Sequence, residues 1–363
     1  MKLKYIFALL AIVSIIGINS CKRDDDELPS NNSISRLYIS YSDYNPNLEQ
    51  TSYTNVVLLP QADDSTNMAS RATAFVSGVK GGNTIYFNPS AKMVFQGSIN
   101  STKIDTFIYK LTIGETGALS NKDAIPQGVL KTVRGMVFHP SLDKLYSIEV
   151  SENTPKYYVF NLPRGLSRFA KPGQTYEFAN GINPWDVSIV KSGLVVSKSG
   201  AESGIEIYDN LVINRDSIIQ QVQPSKVLTV ENATNIRGMS IDTVNNMLAL
   251  TDFVESGSGE STTYTGKILI FDDYNAISQS TGVIKPTRII TGVSTKLLQP
   301  VDVELDFRKD SKFLYVVDPS SQAVYRFLKS DNGNVAPNAT FQYQQPGKAG
   351  ISTPRGISLD ARN

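Results

Sequence analysis

The sequence contains one cysteine, one histidine and one tryptophan among 363 residues, and its charges almost cancel. A lone cysteine leaves no partner for an intrachain disulfide. A Ser-His-Asp triad would depend on the single histidine, His139. The formal net charge of +1 gives no support for a nucleic-acid partner, because nucleic-acid-binding domains usually carry a basic excess. These absences exclude a disulfide scaffold and argue against nucleic-acid binding.

Long apolar runs are almost absent too, and the one present lies at the N-terminus, over residues 5–18 after two lysines. This run is short for a membrane-spanning helix and is typical of a signal-peptide core, although an uncleaved anchor is the alternative. The stretch from Ile18 to Cys21 resembles a bacterial lipobox, in which the signal is cut before the cysteine and the cysteine is diacylated. We therefore predict a lipoprotein signal peptide over residues 1–20 and lipidation of Cys21.

The residues after Cys21, KRDDDELPSNN, are polar and acidic, and residues 21–34 are predicted to form a flexible acidic tether. A cysteine followed by a lysine and an acidic run resembles the export signal of Bacteroidota surface lipoproteins. We predict an outer-membrane lipoprotein, exposed at the cell surface and held to the membrane through Cys21. A periplasmic orientation is the alternative.

Internal repetition organises the rest of the chain. A short alternating strand, a polar turn and a second apolar strand recur at residues 132–148, 235–253 and 299–318, with weaker copies at 183–200 and 82–98. The turns HPSLDK, DTVNN and FRKDSK have the composition of hairpin turns. The copies begin 51, 51, 52, 64 and 54 residues apart, at Asn83, Arg134, Trp185, Arg237, Val301 and Arg355.

Two further strands follow in each copy. The third reads YYVFNL, GIEIYD, GKILIFDD or QAVYRFLKS, and the fourth begins after Pro224, Pro286 or Pro337. The long 64-residue step contains the stretch ESGSGESTTYTG at residues 255–266, whose composition predicts a loop. Four short strands per period of about 50 residues, without a helical pattern, indicate a β-propeller. A β-sandwich is not expected to repeat a four-strand pattern at nearly constant spacing, and a β-solenoid has shorter, more regular coils.

The last copy is incomplete, because TPRGISLDARN contains only a first strand. The stretch SRLYISYSDY at residues 35–44 matches the second strand of other copies and has no first strand before it. Pairing the two would remove two exposed sheet edges. We therefore predict an all-β, six-bladed propeller over residues 35–363, with four-stranded blades and a closing blade built from both ends of this region.

The phrases KPTRIITGVSTKLLQPVDVELD (285–306) and NGNVAPNATFQYQQPGKAGISTPRGISLD (332–360) resemble NHL-like and YVTN-like bacterial propeller repeats. The resemblance covers nearly all of residues 35–363, and the first two blades depart from it most. It is specific for the fold. It implies little about function, because such propellers carry many unrelated sites.

Motifs for catalysis are scarce. His139 lies in a turn at the position of Asn88 and Asp242 in other copies, so we interpret it as a turn residue, and neither a G-x-S-x-G elbow nor a phosphate loop is present. Propellers related to gluconolactonases hold a divalent ion with carboxylates and asparagine from several inner strands, and the sequence offers no matching set. We predict no catalytic residue, metal ligand or cofactor. Repetition also favours a structural role for the carboxylates near strand ends, Glu149, Asp252, Asp306, Asp318 and Asp360.

The first residue of each copy is the better candidate for a site, because these six positions are predicted to surround the central opening of the ring. Arginine suits carboxylate recognition, tryptophan can stack on a sugar, and the following position holds two aspartates where other copies mostly have glycine. The alternative is that these residues belong to the repeat and pair with neighbouring carboxylates. The predicted ligand-binding residues are Asn83, Arg134, Trp185, Asp186, Arg237, Asp302 and Arg355. The insertion at 255–266 is a second candidate.

Three functions remain open at this point. The first is a non-enzymatic binding or scaffold module of the cell envelope whose partner is a protein, a peptide or a glycan. The second is a metal-dependent hydrolase of the lactonase or gluconolactonase type. The third is a glycan-binding accessory lipoprotein that stacks sugars on Trp185.

Overall fold

The repeats fold as six sheets that contain one copy each, as predicted. The strands belong to one unit, Ile34–Arg362. The predicted signal peptide, Cys21 and nearly all of the predicted tether lie outside the described residues. The computed structural model describes residues 33–44, 54–99, 105–126, 130–150, 154–163, 165, 171–179, 181–191, 193–209 and 218–363.

Blades are numbered along the chain, and blade 1 is the closing blade. Its strands, beginning with the first, are Pro354–Arg362 (β26), Ile34–Tyr41 (β1), Val56–Leu59 (β2) and Thr73–Phe75 (β3). The strands of blade 2 are Gly82–Asn88 (β4), Met93–Ser98 (β5), Phe107–Ile113 (β6) and Leu119–Pro126 (β7). The strands of blade 3 are Val133–His139 (β8), Lys144–Glu149 (β9), Lys156–Asn161 (β10) and Gln174–Phe178 (β11).

The other three blades have the same order of strands. Those of blade 4 are Asn183–Val190 (β12), Gly193–Ser199 (β13), Gly204–Tyr208 (β14) and Lys226–Val230 (β16). Those of blade 5 are Met239–Asp242 (β17), Met247–Ser256 (β18), Thr263–Phe271 (β19) and Arg288–Thr291 (β21). Those of blade 6 are Asp302–Leu305 (β22), Phe313–Asp318 (β23), Ala323–Leu328 (β24) and Ala339–Phe341 (β25).

A few elements go beyond the four-strand plan. Ile218–Val222 (β15) adds to the outer edge of blade 3 and Gly282–Ile284 (β20) to that of blade 4, each in parallel. A short α-helix, Tyr274–Gln279 (α1), begins after Asp273, whose side chain accepts a hydrogen bond from the Ala276 N–H. Short 3-10 turns lie at Gly259–Ser261 and Val293–Thr295. Within the described ranges, no helix is long and apolar enough to cross a membrane.

The core lies between the blades. The buried side chains form six apolar clusters, one at each junction of neighbouring blades. Successive side chains of a strand point to opposite faces. In β1, Leu37 and Ile39 therefore pack toward blade 6, and Tyr38 packs toward blade 2. Because both faces of each sheet are covered, the second strands are buried along nearly their whole length.

The ring is closed by the pairing of β26 with β1. The two strands run antiparallel from Ile34 opposite Arg362 to Ser40 opposite Gly356. Each first strand also contacts the first strands of both neighbouring blades, so that the six form a closed circle around the axis. The prediction that the C-terminal stretch completes the first blade is confirmed.

The insertion at 255–266 corrects a prediction from composition. It was expected to be a loop, but β18 and β19 extend into it, with Glu255 opposite Tyr264 and Ser256 opposite Thr263. The Ser, Gly and Thr residues confine the loop itself to the tip around Gly259–Ser261. The insertion is therefore a long hairpin that projects beyond blade 5.

Removal of residues 353–363 should destabilise the whole ring, because it deletes β26 and leaves the inner edge of β1 unpaired. A milder change, Ile357→Ala, removes a side chain that is 2% exposed and should lower the free energy of unfolding by about 2–5 kcal/mol. Both effects are measurable by thermal and denaturant unfolding. Deletion of exposed Asn363 alone is the control, and an unchanged melting temperature after the long deletion would contradict the closure.

Candidate functional site

The predicted site residues meet at one end of the central channel, which we call the mouth. Six of them line a common cavity of about 140 Å³: Asn83, Arg134, Trp185, Asp186, Asp302 and Arg355. The seventh, Arg237, lies beside the cavity, with its guanidinium carbon 4.3 Å from the centre of the Trp185 ring. The repeat thus brings all seven residues together, as the sequence analysis predicted.

Trp185 is in contact with two cations of its own chain. The guanidinium carbon of Arg134 lies 4.2 Å from the ring centre, and that of Arg237 lies at 4.3 Å. Such cation–π contacts are each worth about 0.5–2 kcal/mol. The stacking surface proposed for a sugar is therefore already covered by guanidinium groups.

The three arginines have no ion-pair partner within 4.0 Å among the described residues. Arg134 donates to the Asn183 Oδ1 at 2.6 Å and to the Pro184 carbonyl at 3.0 Å. The Arg355 Nε is buried without a hydrogen-bond partner in the described part of the chain. Burial lowers the pKa of all three side chains, and the charges of Arg134 and Arg355 lower that of Arg237 further. The mouth therefore brings together three guanidinium groups, none of which forms an ion pair within 4.0 Å with a described residue.

The hairpin of blade 5 adjoins the mouth, a relation that the sequence did not reveal. The guanidinium carbon of Arg237 lies 4.5 Å from the centre of the Phe253 ring. Phe253 in turn meets Tyr264 edge to face, with ring centres 6.0 Å apart. Arg237 is thus held between Trp185 on one side and the base of the inserted hairpin on the other.

Residue size alternates from blade to blade at the second position of each copy, the one that follows the residue at the mouth. Three blades have glycine here, and the other three have Thr84, Asp186 and Asp302. A Cβ atom on Gly135 would lie 2.9 Å from the Asp186 Cα, and one on Gly238 would lie 2.4 Å from the Asp302 Cα. The glycines therefore let the next blade approach the axis.

The two aspartates tie neighbouring blades together. Asp186 accepts hydrogen bonds from the backbone N–H groups of Val187 at 2.8 Å and of Met239, in the next blade, at 3.0 Å. Asp302 does the same with Val303 at 2.9 Å and with Ile357, also in the next blade, at 2.8 Å. Both residues line the mouth and also a larger cavity of about 480 Å³ on its inner side. They therefore form, with Thr84, the boundary between the two spaces.

Glu304 faces the same channel two residues deeper than Asp302 and was not predicted. Its carboxylate accepts hydrogen bonds at 3.4 Å from the hydroxyls of Ser240 and Ser358. Burial and the charge of Asp186 raise the pKa of Glu304 to about 8. Burial raises the pKa of Asp186 to about 6, and burial with the charges of Asp186 and Glu304 raises that of Asp302 well above its ordinary value. Glutamate is unique to blade 6 at this position, a signal that was available in the sequence.

His139 lies at the opposite end of the channel, where the larger cavity opens between the turns. Its Nδ1 accepts a hydrogen bond from the N–H of Leu142 at 3.3 Å. Asn88 accepts the corresponding bond from Ala91 at 2.7 Å. His139 therefore occupies the turn position that its place in the repeat predicted.

The carboxylates at the ends of second strands hold the chain that leads into each first strand. The Glu149 side chain accepts from the N–H of Lys131 at 2.6 Å, and Asp252 accepts from Asn235 at 2.6 Å. The same bond joins Asp318 to the Leu298 N–H. In blade 1 it joins Asp43 to the N–H of Thr353, which crosses the closure. For these strand-end carboxylates the structural role is confirmed.

Asp306 and Asp360 lie instead at the ends of first strands and pair with arginines. Asp306 contacts Arg308, and Asp360 contacts Arg36 and Arg362. In the part of the chain that the structure describes, no group of three or more His, Cys, Asp or Glu residues is arranged to hold a metal ion.

Comparisons with solved structures support the fold. The structure is similar to a chain of the nidogen–laminin complex (TM-score 0.55, 15% identity, 90% of this chain and 98% of that chain covered). It is equally similar to the periplasmic gluconolactonase of Pseudomonas aeruginosa (0.55, 12% identity, 90% and 99%). A functionally unknown protein of Desulfotomaculum acetoxidans gives a TM-score of 0.52 at 10% identity, with 89% and 98% covered. No protein-family model and no curated protein sequence matches the chain.

The raised pKa of Glu304 predicts how stability depends on pH. The folded state binds this proton more tightly than the unfolded state, whose carboxyl has an ordinary pKa of 4.5. The free energy of unfolding should therefore fall as the pH rises from about 4.5 to 8. Asp186 and Asp302 contribute in the same direction. Glu304→Gln should flatten this slope in denaturant titrations at several pH values, whereas exposed Glu260→Gln should not. An identical slope in Glu304→Gln and wild type would contradict the assignment.

Proposed function

We propose that this chain is a non-enzymatic binding propeller of the cell envelope that takes an anionic group of its partner at the arginine-lined mouth. The observation that carries this proposal is the convergence of Arg134, Arg237 and Arg355 without a carboxylate within 4.0 Å among the described residues. Leaving partly buried charges unpaired is unfavourable, so a bound anion would relieve their mutual repulsion. Guanidinium groups also offer paired N–H donors that match a carboxylate.

The mouth geometry favours an anionic partner over a neutral sugar. A neutral ring could stack on Trp185 only by displacing Arg134 or Arg237, which lie 4.2 and 4.3 Å from its centre. An acidic glycan, an acidic peptide or a protein with an exposed carboxylate would instead use those guanidinium groups directly. The glycan-binding hypothesis is thus retained for acidic glycans.

The hydrolase alternative has less support. The likeness to a gluconolactonase, at 12% identity, concerns the fold. In this chain both oxygens of Asp186 and both of Asp302 accept backbone hydrogen bonds, and one bond of each residue crosses to the next blade. Each carboxylate therefore has a structural role in the joint between blades. Binding that survives a chelator, with no turnover of lactones, is the behaviour expected of a binding module.

The proposed localisation is the outer membrane of a bacterium of the Bacteroidota. Cys21 would carry the lipid, and the acidic tether would lead to the cell surface. It rests on the lipobox-like sequence and on the acidic run after Cys21. A lipid on this cysteine would hold the protein at the membrane while the tether lets it reach partners.

Arg355→Gln should weaken binding of anionic probes at least ten-fold, because a charge-assisted hydrogen bond is worth about 1.5–3 kcal/mol. The probes are hexaglutamate and an oligogalacturonate, with hexaglutamine and a neutral oligosaccharide of equal length as counterparts. Affinity measured by calorimetry should fall as salt is added. Arg71→Gln, at an exposed position, is the control. Equal binding of the neutral counterparts would contradict the proposal.

Cys21→Ser should abolish membrane attachment. In cells fed an alkyne-labelled fatty acid, the wild-type chain should carry the label and partition with outer membranes, and the variant should lose both properties. Exposure at the surface is measured by protease accessibility in intact cells. An unlabelled wild-type chain would refute lipidation while leaving the binding proposal intact.

A further inference from the structure

Groups of opposite charge line the small mouth cavity together. Arg134 and Arg355 contribute cations, and Asp186 and Asp302 contribute carboxyl groups. No residue among those described forms an ion pair within 4.0 Å with any of these four side chains. An anion alone would satisfy only the arginines and would add negative charge close to the two aspartates.

The two kinds of charge lie at different depths along the channel. The arginines occupy the first position of their copies, and the aspartates occupy the next position, one strand residue further in. One residue of a β-strand advances by about 3.3 Å. The backbone positions that carry the arginines are therefore the outer ones, and the positions that carry the aspartates lie one residue step further in.

The geometry points to a zwitterionic ligand, an α-amino acid head group bound with its carboxylate at Arg134 and Arg355 and its ammonium at Asp186 and Asp302. This inference rests on the proposed function and specifies its ligand. In an α-amino acid one carbon carries both the carboxylate and the ammonium group, so a small molecule can meet both kinds of side chain in this cavity. In β-alanine one more carbon separates the two groups, which changes the spacing that the cavity has to match.

Several features support a head group of this size. The cavity of about 140 Å³ is smaller than the roughly 300–1,000 Å³ of pockets that enclose drug-sized ligands. The Arg355 Nε lacks a hydrogen-bond partner in the described part of the chain and is available to a carboxylate. Burial raises the pKa of Asp186 and lowers that of Arg134, and a zwitterion would bring an opposite charge to each of them.

Trp185 provides a direct readout, because it is the only tryptophan and lines the cavity. Its fluorescence in the full-length protein should be titrated with alanine, propionate, ethylamine and β-alanine. Propionate and ethylamine are alanine without its ammonium and without its carboxylate, respectively. β-Alanine has the same atoms with the charges further apart. We expect alanine to bind at least ten-fold more tightly than each of the others.

Variants separate the two kinds of charge. Asp302→Asn and Asp186→Asn should each bring the affinity ratio of alanine to propionate close to one, whereas exposed Asp310→Asn should preserve it. Two variants are tested so that the prediction can still be checked if one of them fails to fold. If alanine and propionate bind equally to the wild type, the zwitterion assignment is overturned and the anion-binding proposal stands. If neither they nor the acidic probes bind, both are overturned.

Discussion

Everything in this ring depends on how closely six first strands can approach one axis. Four-stranded sheets can be arranged around a centre only if the innermost backbones nearly touch. The chain meets this requirement at Gly135, Gly238 and Gly356, where a Cβ atom would lie 2.4–2.9 Å from atoms of the following blade. The blades that follow carry Asp186, Asp302 and Thr84, whose side chains line the channel at this level. Small and larger residues therefore alternate, and the ring has an approximate threefold character at this level.

This alternation also explains why polar groups line the channel. A side chain that faces the axis cannot be covered by a second sheet, so it meets either water or the residues across the channel. Asp186 and Asp302 accept backbone N–H groups of the next blade, which makes them part of the joint between blades. Glu304 shares its carboxylate with serines of blades 5 and 1. The accumulated negative charge is tolerated because the pKa values of these carboxyls rise.

Much of this architecture could be predicted from the sequence, because the same local sequence pattern is repeated once in each blade of a propeller. The spacing of the copies gave the number of blades, and the unmatched strands at 35–44 and 353–363 gave the closure. The row of mouth residues followed from the register of the copies. The contacts between different copies did not, since they depend on how blades are rotated about the axis. These contacts between copies include the two guanidinium groups on Trp185, the approach of Phe253 to Arg237 and the position of Glu304 opposite Ser358.

Local composition failed in one instructive place. The stretch 255–266 is rich in Ser, Gly and Thr and was expected to be a loop, yet its flanks pair as strands. Each added residue pair extends the existing ladder between β18 and β19. The chain therefore avoids the loss of conformational entropy that starting a new hairpin would involve. Polar and β-branched residues are compatible with such an exposed extension. Tertiary context thus outweighs composition wherever an existing strand pair can be prolonged.

The mouth and the closure are physically coupled. Arg355 belongs to β26, the strand that closes the ring, whereas Arg134 and Arg237 belong to blades 3 and 5. A ligand held by these three arginines would connect alternate blades across the axis, and its binding energy would count only in the closed ring. Any ligand that binds the folded state alone stabilises it in proportion to the logarithm of ligand concentration over Kd. Occupancy of the mouth would therefore add to the β26–β1 pairing, and ligand recognition and ring closure would reinforce each other through Arg355.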